Sequence, residues 1–166
     1  MAMIKNKTYL PLTSVNKGFS LIELIIIMTI IGIMIAASTT RIKDITINAR
    51  VSAAINQITA DIDQAKTMSM SMRKQIEIIF NQTNETYTVY KDGNVFNDFP
   101  GSNNGTVNLS DNNNFGVDII SVNLNGSNVI TFTKWGDCLQ SGTITLNEGR
   151  EIHIKNLTGY WEIVNS

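Results

Sequence analysis

The chain has 166 residues, 43% of them hydrophobic and 16% charged, with a formal net charge of −1. That length is a prior for one globular domain, and the slightly acidic balance lacks the basic excess expected of a nucleic-acid surface. A single cysteine, Cys138, excludes an internal disulfide framework, and a single histidine, His153, excludes a His-rich metal site.

Residues 1–18, MAMIKNKTYLPLTSVNKG, carry Lys5, Lys7 and Lys17 and no acid. They read as a short basic leader without an apolar core of its own. A secretory signal places its apolar stretch before the cleavage site. Here that stretch follows the boundary at Gly18, so a cut there leaves it on the mature chain.

From Phe19 to Thr40 only Glu23 is charged. That is about the 20 residues a helix needs to cross ~30 Å of hydrocarbon, and the run is too long and too uniform for a buried core helix. The expectation is a membrane-spanning helix over 19–40. Its orientation stays open from charge alone: Lys5, Lys7 and Lys17 on one side balance Arg41, Lys43 and Arg50 on the other. Glu23 is the anomaly, since a charge at the centre of a bilayer costs about 3 kcal/mol on insertion scales.

The helix is expected to continue over 41–72. Val51, Ile55, Ile58, Ile62, Ala65, Met68 and Met72 recur at steps of three and four, the mark of one apolar stripe, and no proline lies between Pro11 and Pro100. Arg41, Asp44, Arg50, Asn56, Asp61, Asp63 and Lys66 are placed on the other faces. One helix from about Phe19 to Met72 would be roughly 80 Å long. Its first half must find lipid or other subunits.

After Arg73 the period changes to two. Ile76–Phe80 and Thr86–Tyr90 flank the turn-rich NQTNE and predict a hairpin. Further strands are expected at Thr106–Leu109, Gly116–Leu124, Val129–Thr133, Thr143–Leu146, Arg150–Lys155 and Tyr160–Val164, with turns marked by Asp92-Gly93-Asn94, Asn125-Gly126, Ser141-Gly142 and Thr158-Gly159. Short strands joined by short turns make residues 73–166 an antiparallel β domain of one sheet or two, with the Ile58/Ile62/Ala65 stripe as its lid. The fold class is α+β: a long N-terminal helix, its apolar half protruding and its amphipathic half packed on the β domain.

The boundary KGFSLIEL, with Gly18, Phe19 and then Glu23 leading an apolar run behind a basic leader, resembles the processing site of type IV prepilins and pseudopilins. The resemblance implies cleavage after Gly18 by a membrane prepilin peptidase and methylation of the new N-terminal Phe19. It also implies an assembly role for Glu23, which would pair with the Phe19 amine of a neighbouring subunit. A carboxylate in a first helical turn is favoured by the helix dipole, and an opposite charge counts for more in low dielectric than in water. The bland alternative is a carboxyl that protonates or snorkels at the interface. Leu21, Leu24, Ile27 and Ile31 are the expected helix-packing positions.

The pattern ITFTKWGDCLQSGTITL, then REIHIKN, then TGYWEI, together with the helix-to-hairpin step QAKTMSMSMRKQIEIIF, is similar to the GspH/FimT-type minor pseudopilins. That likeness implies a structural subunit rather than an enzyme. The subunit would sit in the bacterial inner membrane with its N-terminus inward and its β domain periplasmic. An assembly platform protein would then build it with other pilins into a helical pilus or pseudopilus, at initiation or at the tip. Some such proteins bind DNA through a basic C-terminal segment. Here Gly159-Tyr160-Trp161-Glu162 is aromatic and acidic, which argues against DNA. The alternative reading is a pilus-tip receptor for DNA or a surface, whose sign would be a local Lys/Arg patch.

No cofactor and no metal are expected. The Asp/Asn loops 92–98 and 111–118 could offer oxygens to Ca²⁺, but Asp111–Val122 lacks the terminal Glu of an EF-hand loop, and solvated loops are the expectation. His153, between Ile152 and Ile154, is placed on a solvated strand face, and Cys138 is read as a free or packed thiol. Any C-terminal loop must therefore be held without a disulfide. Trp135 and Trp161 are assigned to core or interface rather than to a sugar platform.

Overall fold

A proline-free run after Ser20 forms one helix, α1 (Leu21–Met72), of 52 residues. The computed structural model describes residues 18–110 and 116–165, with the side chains of α1 described over 21–37 and 46–72. The basic leader over residues 1–17 and the loop at 111–115 lie outside the described residues. At its C-terminal end α1 closes in a Schellman motif: the Lys74 N–H donates to the Ser69 carbonyl at 3.1 Å, and Arg73 takes the left-handed conformation at φ 53°. Glycine is the usual occupant there, so an arginine stores about 1–2 kcal/mol of backbone strain.

The chain divides into two units, Met1–Arg41 and Ile42–Ser166. In the first, α1 residues 21–37 are exposed throughout. These 17 residues are about 26 Å long at 1.5 Å per residue. Among the described residues no helix is long and apolar enough to cross a membrane. The side chains at 38–40, which the expected span includes, lie outside that description.

The second unit holds the core. Val51, Ala54, Ile55, Ile58, Ile62 and Ala65 of α1 are buried, as their spacing predicts. The expected stripe fades beyond them, with Met68 half-buried and Met72 40% exposed. Asp61 departs from expectation. Placed on a solvated face by its charge, it is 2% exposed. The stripe is wider than one row because both β-sheets share this helix, and residue 61 falls at i+3 from Ile58 and i−4 from Ala65.

The β domain forms two antiparallel sheets. In sheet A, β1 (Ile76–Asn81) pairs with β2 (Thr86–Lys91) as the expected hairpin, from Ile76 opposite Lys91 to Asn81 opposite Thr86. Beyond β2 lie β3 (Asn94–Val95), which begins at the last residue of the expected turn, and β4 (Thr106–Asn108). Sheet B contains β5 (Ile119–Leu124), and the chain then returns to sheet A with β6 (Val129–Phe132), which pairs with β1. The remaining strands, β7 (Gly142–Leu146), β8 (Arg150–Ile154) and β9 (Trp161–Asn165), complete sheet B in the order β5-β7-β8-β9.

Period two does the packing work. Ile76, Ile78 and Phe80 alternate inward on β1, Tyr87 and Val89 on β2, and Ile144, Leu146, Ile152 and Ile154 on β7 and β8. Gly142 is required by close approach: a Cβ there would lie 1.9 Å from the Asn123 carbonyl oxygen across the β5–β7 ladder. Cross-links to α1 are specific. The Tyr87 hydroxyl donates to Asp61 Oδ2 at 2.6 Å, Arg150 donates to Ser52 Oγ at 3.1 Å, and the Trp161 indole N–H donates to Asp63 Oδ1 at 3.1 Å.

Candidate functional site: the N-terminal segment

The site begins where the helix begins. The Ser20 carbonyl accepts from the Glu23 N–H at 3.0 Å and the Leu24 N–H at 3.2 Å, which makes Ser20 the N-cap and Glu23 the third helical residue. The spacing Ser-x-x-Glu is that of a capping box, a signal that could have marked the helix start from sequence. Yet among the described residues neither the Ser20 hydroxyl nor the Glu23 carboxylate has a hydrogen-bond or ion-pair partner. Glu23 stands exposed in the first turn, where the orphan N–H groups of the helix favour negative charge.

Gly18 and Phe19 precede the cap and are exposed, Phe19 to 76%. A Cβ at Gly18 would meet nothing within 4 Å, and Gly18 is not among the residues with positive φ. Among the described residues, nothing requires glycine at this position. Leu21, Leu24, Ile27 and Ile31 are 42–76% exposed, and so are Ile25 and Ile35 beside them and Ile22, Ile26, Ile30 and Ile33 on the other faces. An apolar surface running right round a helix is far beyond the scattered exposed apolar residues of soluble monomers, and marks a surface meant for lipid or protein.

The residues considered for other chemistry fall elsewhere. Cys138 is fully buried, its thiol pushed up in pKa by burial, and it donates to the Gln140 carbonyl at 3.2 Å: a packed thiol, not a nucleophile. His153 lies on the face opposite Ile152, with Nε2 2.8 Å from Glu151. Asp92 of the 92–98 loop is held below the usual carboxylate range by the Lys74 ammonium, 2.5 Å away. Among the described residues no group of three or more His, Cys, Asp or Glu side chains could hold a metal. Trp161 is half-buried against α1, whereas Trp135 is 66% exposed and so belongs to no core.

Among the described residues, two of the surface cavities in the second unit gather charged side chains. One, of about 600 Å³, is lined by Asp63, Lys66, Lys155, Thr158, Gly159, Tyr160 and Trp161. Its charges are engaged locally: Asp63 with the Trp161 indole, Lys66 with the Thr158 carbonyl at 2.5 Å, and Lys155 with Glu162 at 3.8 Å. The other, of about 480 Å³, gathers Arg73, Lys74 and Lys134 beside Asp92 and Trp135. Neither brings together a nucleophile and a base.

Residues 13–39 match the prokaryotic N-terminal methylation motif. No characterised protein sequence matches the chain. Among solved structures, the type IV minor pilin FimU of Pseudomonas aeruginosa (strain PAO1) is similar at 15% identity with a TM-score of 0.43, over 72% of this chain and 90% of that one. The matched motif lies at the head of the exposed apolar helix that leads into the antiparallel β domain.

Proposed function

We propose that this chain is a minor pilin or pseudopilin of the GspH/FimT type, a structural subunit and not an enzyme. Prepilin peptidase cuts after Gly18, and Phe19 becomes the methylated N-terminus. The subunit is held in the inner membrane through residues 19–40, with its β domain on the periplasmic side. An assembly platform protein then moves it into a filament with other pilins, at initiation or at the tip. There Leu21, Leu24, Ile27 and Ile31 exchange lipid for neighbouring helices, and Glu23 pairs with the Phe19 amine of another subunit.

The observation that carries this reading is the Glu23 carboxylate, without a partner among the described residues, on an all-round exposed apolar helix directly after the Gly18-Phe19 of the methylation motif. A carboxylate entering a membrane or a helix bundle needs a counter-charge, and a misplaced one is penalised. The glycine that the fold does not require fits a demand made by a peptidase.

The test is Gly18→Ala. The N-terminus of the mature protein, read by mass spectrometry from cells that carry the peptidase, is expected at Phe19 in the wild type. In the variant the leader is expected to be retained. A mature N-terminus at Phe19 in the variant would refute the processing step.

A second reading, a receptor for DNA or a surface, is favoured by one observation: Arg73, Lys74 and Lys134 converge beside the exposed Trp135. Aromatic faces between cations suit single strands. Gel-shift titration against salt decides it, since phosphate contacts impose a steep salt dependence.

A further inference from the structure

The two sheets present four edges, and three of them are blocked. At one end of sheet A, β3 and β4 are only two and three residues long, and Asn103 and Thr106 exchange backbone hydrogen bonds at the start of β4. At the other end, β6 is covered by the segment that follows it: the Leu139 N–H donates to the Thr131 carbonyl at 3.0 Å, and the Thr131 N–H donates to Gln140 Oε1 at 2.6 Å. In sheet B, β5 carries a bulge between Ile119 and Ser121, and the Ile119 N–H is taken by the Glu85 carboxylate. Short strands, covering loops and bulges are the means by which proteins keep edges from pairing.

β9 has none of these. Its five residues pair with β8 in unbroken register, from Trp161 opposite Ile154 to Asn165 opposite Arg150. Among the described residues nothing else bonds to the backbone of 161–165. Every second residue of an antiparallel edge strand turns its N–H and C=O away from its partner.

The side chains tell the same story. Val122, Ile144, Ile152 and Ile163 form one cross-strand row on the face toward α1. Ile152 is fully buried, whereas Ile163 at the end of the row is 39% exposed. A further strand would cover Ile163 as β9 covers Ile152. On the opposite face Glu162 sits across from His153, which contacts Glu151. Two carboxylates there face one ammonium, Lys155, 3.8 Å from Glu162.

We infer that β9 is a docking edge: an extended segment of a partner polypeptide adds to it as the fifth strand of sheet B, with an apolar side chain against Ile163 and a basic one beside Glu162. Only extended backbone offers donors and acceptors in the alternation this edge leaves open. The docking is independent of the N-terminal segment.

The experiment is hydrogen exchange on the full chain in detergent micelles, with and without a short peptide that alternates lysine and valine. In the free chain the outward amides of 161–165 exchange readily, and saturating peptide slows them about tenfold or more. A scrambled peptide of the same composition gives no protection. Ile163→Lys, an inward charge on the edge, abolishes protection. Glu162→Lys, on the exposed face where folding is not at stake, weakens binding several-fold. Ile120→Lys, on the bulged β5 edge, binds as the wild type does. Protection that falls outside β9 overturns the proposal. So does protection given equally by the scrambled peptide, or left unmoved by Ile163→Lys and Glu162→Lys, or already complete on the outward amides of the free chain.

Discussion

Residues 21–37 and 51–69 belong to the same helix, have the same backbone and are both rich in isoleucine, yet they solve opposite problems. The later segment mixes Ile55, Ile58 and Ile62 with Asn56, Ala60 and Asp63, and the chain's own sheets cover its apolar side. The earlier segment has no polar side to turn outward, and its residues are exposed throughout. Helix propensity is shared between them; what differs is where the covering surface comes from. The second segment is completed by folding; under the proposed function, the first is completed by association.

The largest effect that would break this contrast is at Glu23. Glu23→Leu is expected to leave the thermal unfolding of the β domain unchanged while incorporation into filaments, measured by immunoblot of sheared fibres, falls about tenfold or more. Removing one member of a desolvated ion pair costs roughly 3–5 kcal/mol. Normal incorporation would mean that Glu23 has no counter-charge in the assembly.

A matched pair of truncations sharpens the contrast within the single chain. Ile58→Ala removes a fully buried side chain and is expected to destabilise the domain by about 2–5 kcal/mol in denaturant titration. Ile27→Ala, 42% exposed, is expected to change the same measurement by less than about 0.5 kcal/mol. Equal costs would show that the first segment is covered within the monomer after all.

Asp61 tests the later segment at its one buried charge. Asp61→Ala strands the buried Tyr87 hydroxyl and is expected to cost about 1–3 kcal/mol. Burial raises the Asp61 pKa above 3.8, outweighing the hydrogen bonds from Tyr87 and Gln57, which lower it. The native chain therefore holds that proton more readily than the unfolded one. Its contribution is favourable at the acid end and is lost as pH rises through the native pKa. Asp61→Asn removes this dependence, so denaturation curves of the two proteins should shift in favour of Asn as pH rises. A difference that ran the other way would place the carboxylate in a solvated site.

The smallest effect is at the helix end. Arg73→Gly is expected to stabilise the domain by about 1 kcal/mol by relieving the left-handed arginine. A loss of stability would mean that the Arg73 side chain contributes more than its backbone costs.

Most of the strands were legible because alternation and turn chemistry are local. Ile76, Ile78 and Phe80 alternate visibly, and Asn125-Gly126 marks its turn. The division into two sheets was not legible, since β6 leaves β5 to pair with β1 some fifty residues earlier, and no local pattern records a distant partner. Asp61 was misplaced because charge was given more weight than position. The motif residues Gly18, Phe19 and Glu23 stood out for a different reason: their spacing behind a basic leader resembles a processing site. Ser20 was overlooked although its spacing to Glu23 was in plain view.

One seam in the β domain has a further consequence. The loop leading into β9 is clasped to residue 138 by reciprocal amide bonds, Cys138 N–H to the Leu157 carbonyl at 3.1 Å and Leu157 N–H to the Cys138 carbonyl at 2.8 Å, with Lys66 gripping the Thr158 carbonyl alongside. A sulfur crosslink in such a place would make maturation wait on an oxidase and would leave the closed loop vulnerable to thiols. A clasp of amides consumes no oxidant. This domain can close as soon as its last strand arrives, and reductant should not reopen it.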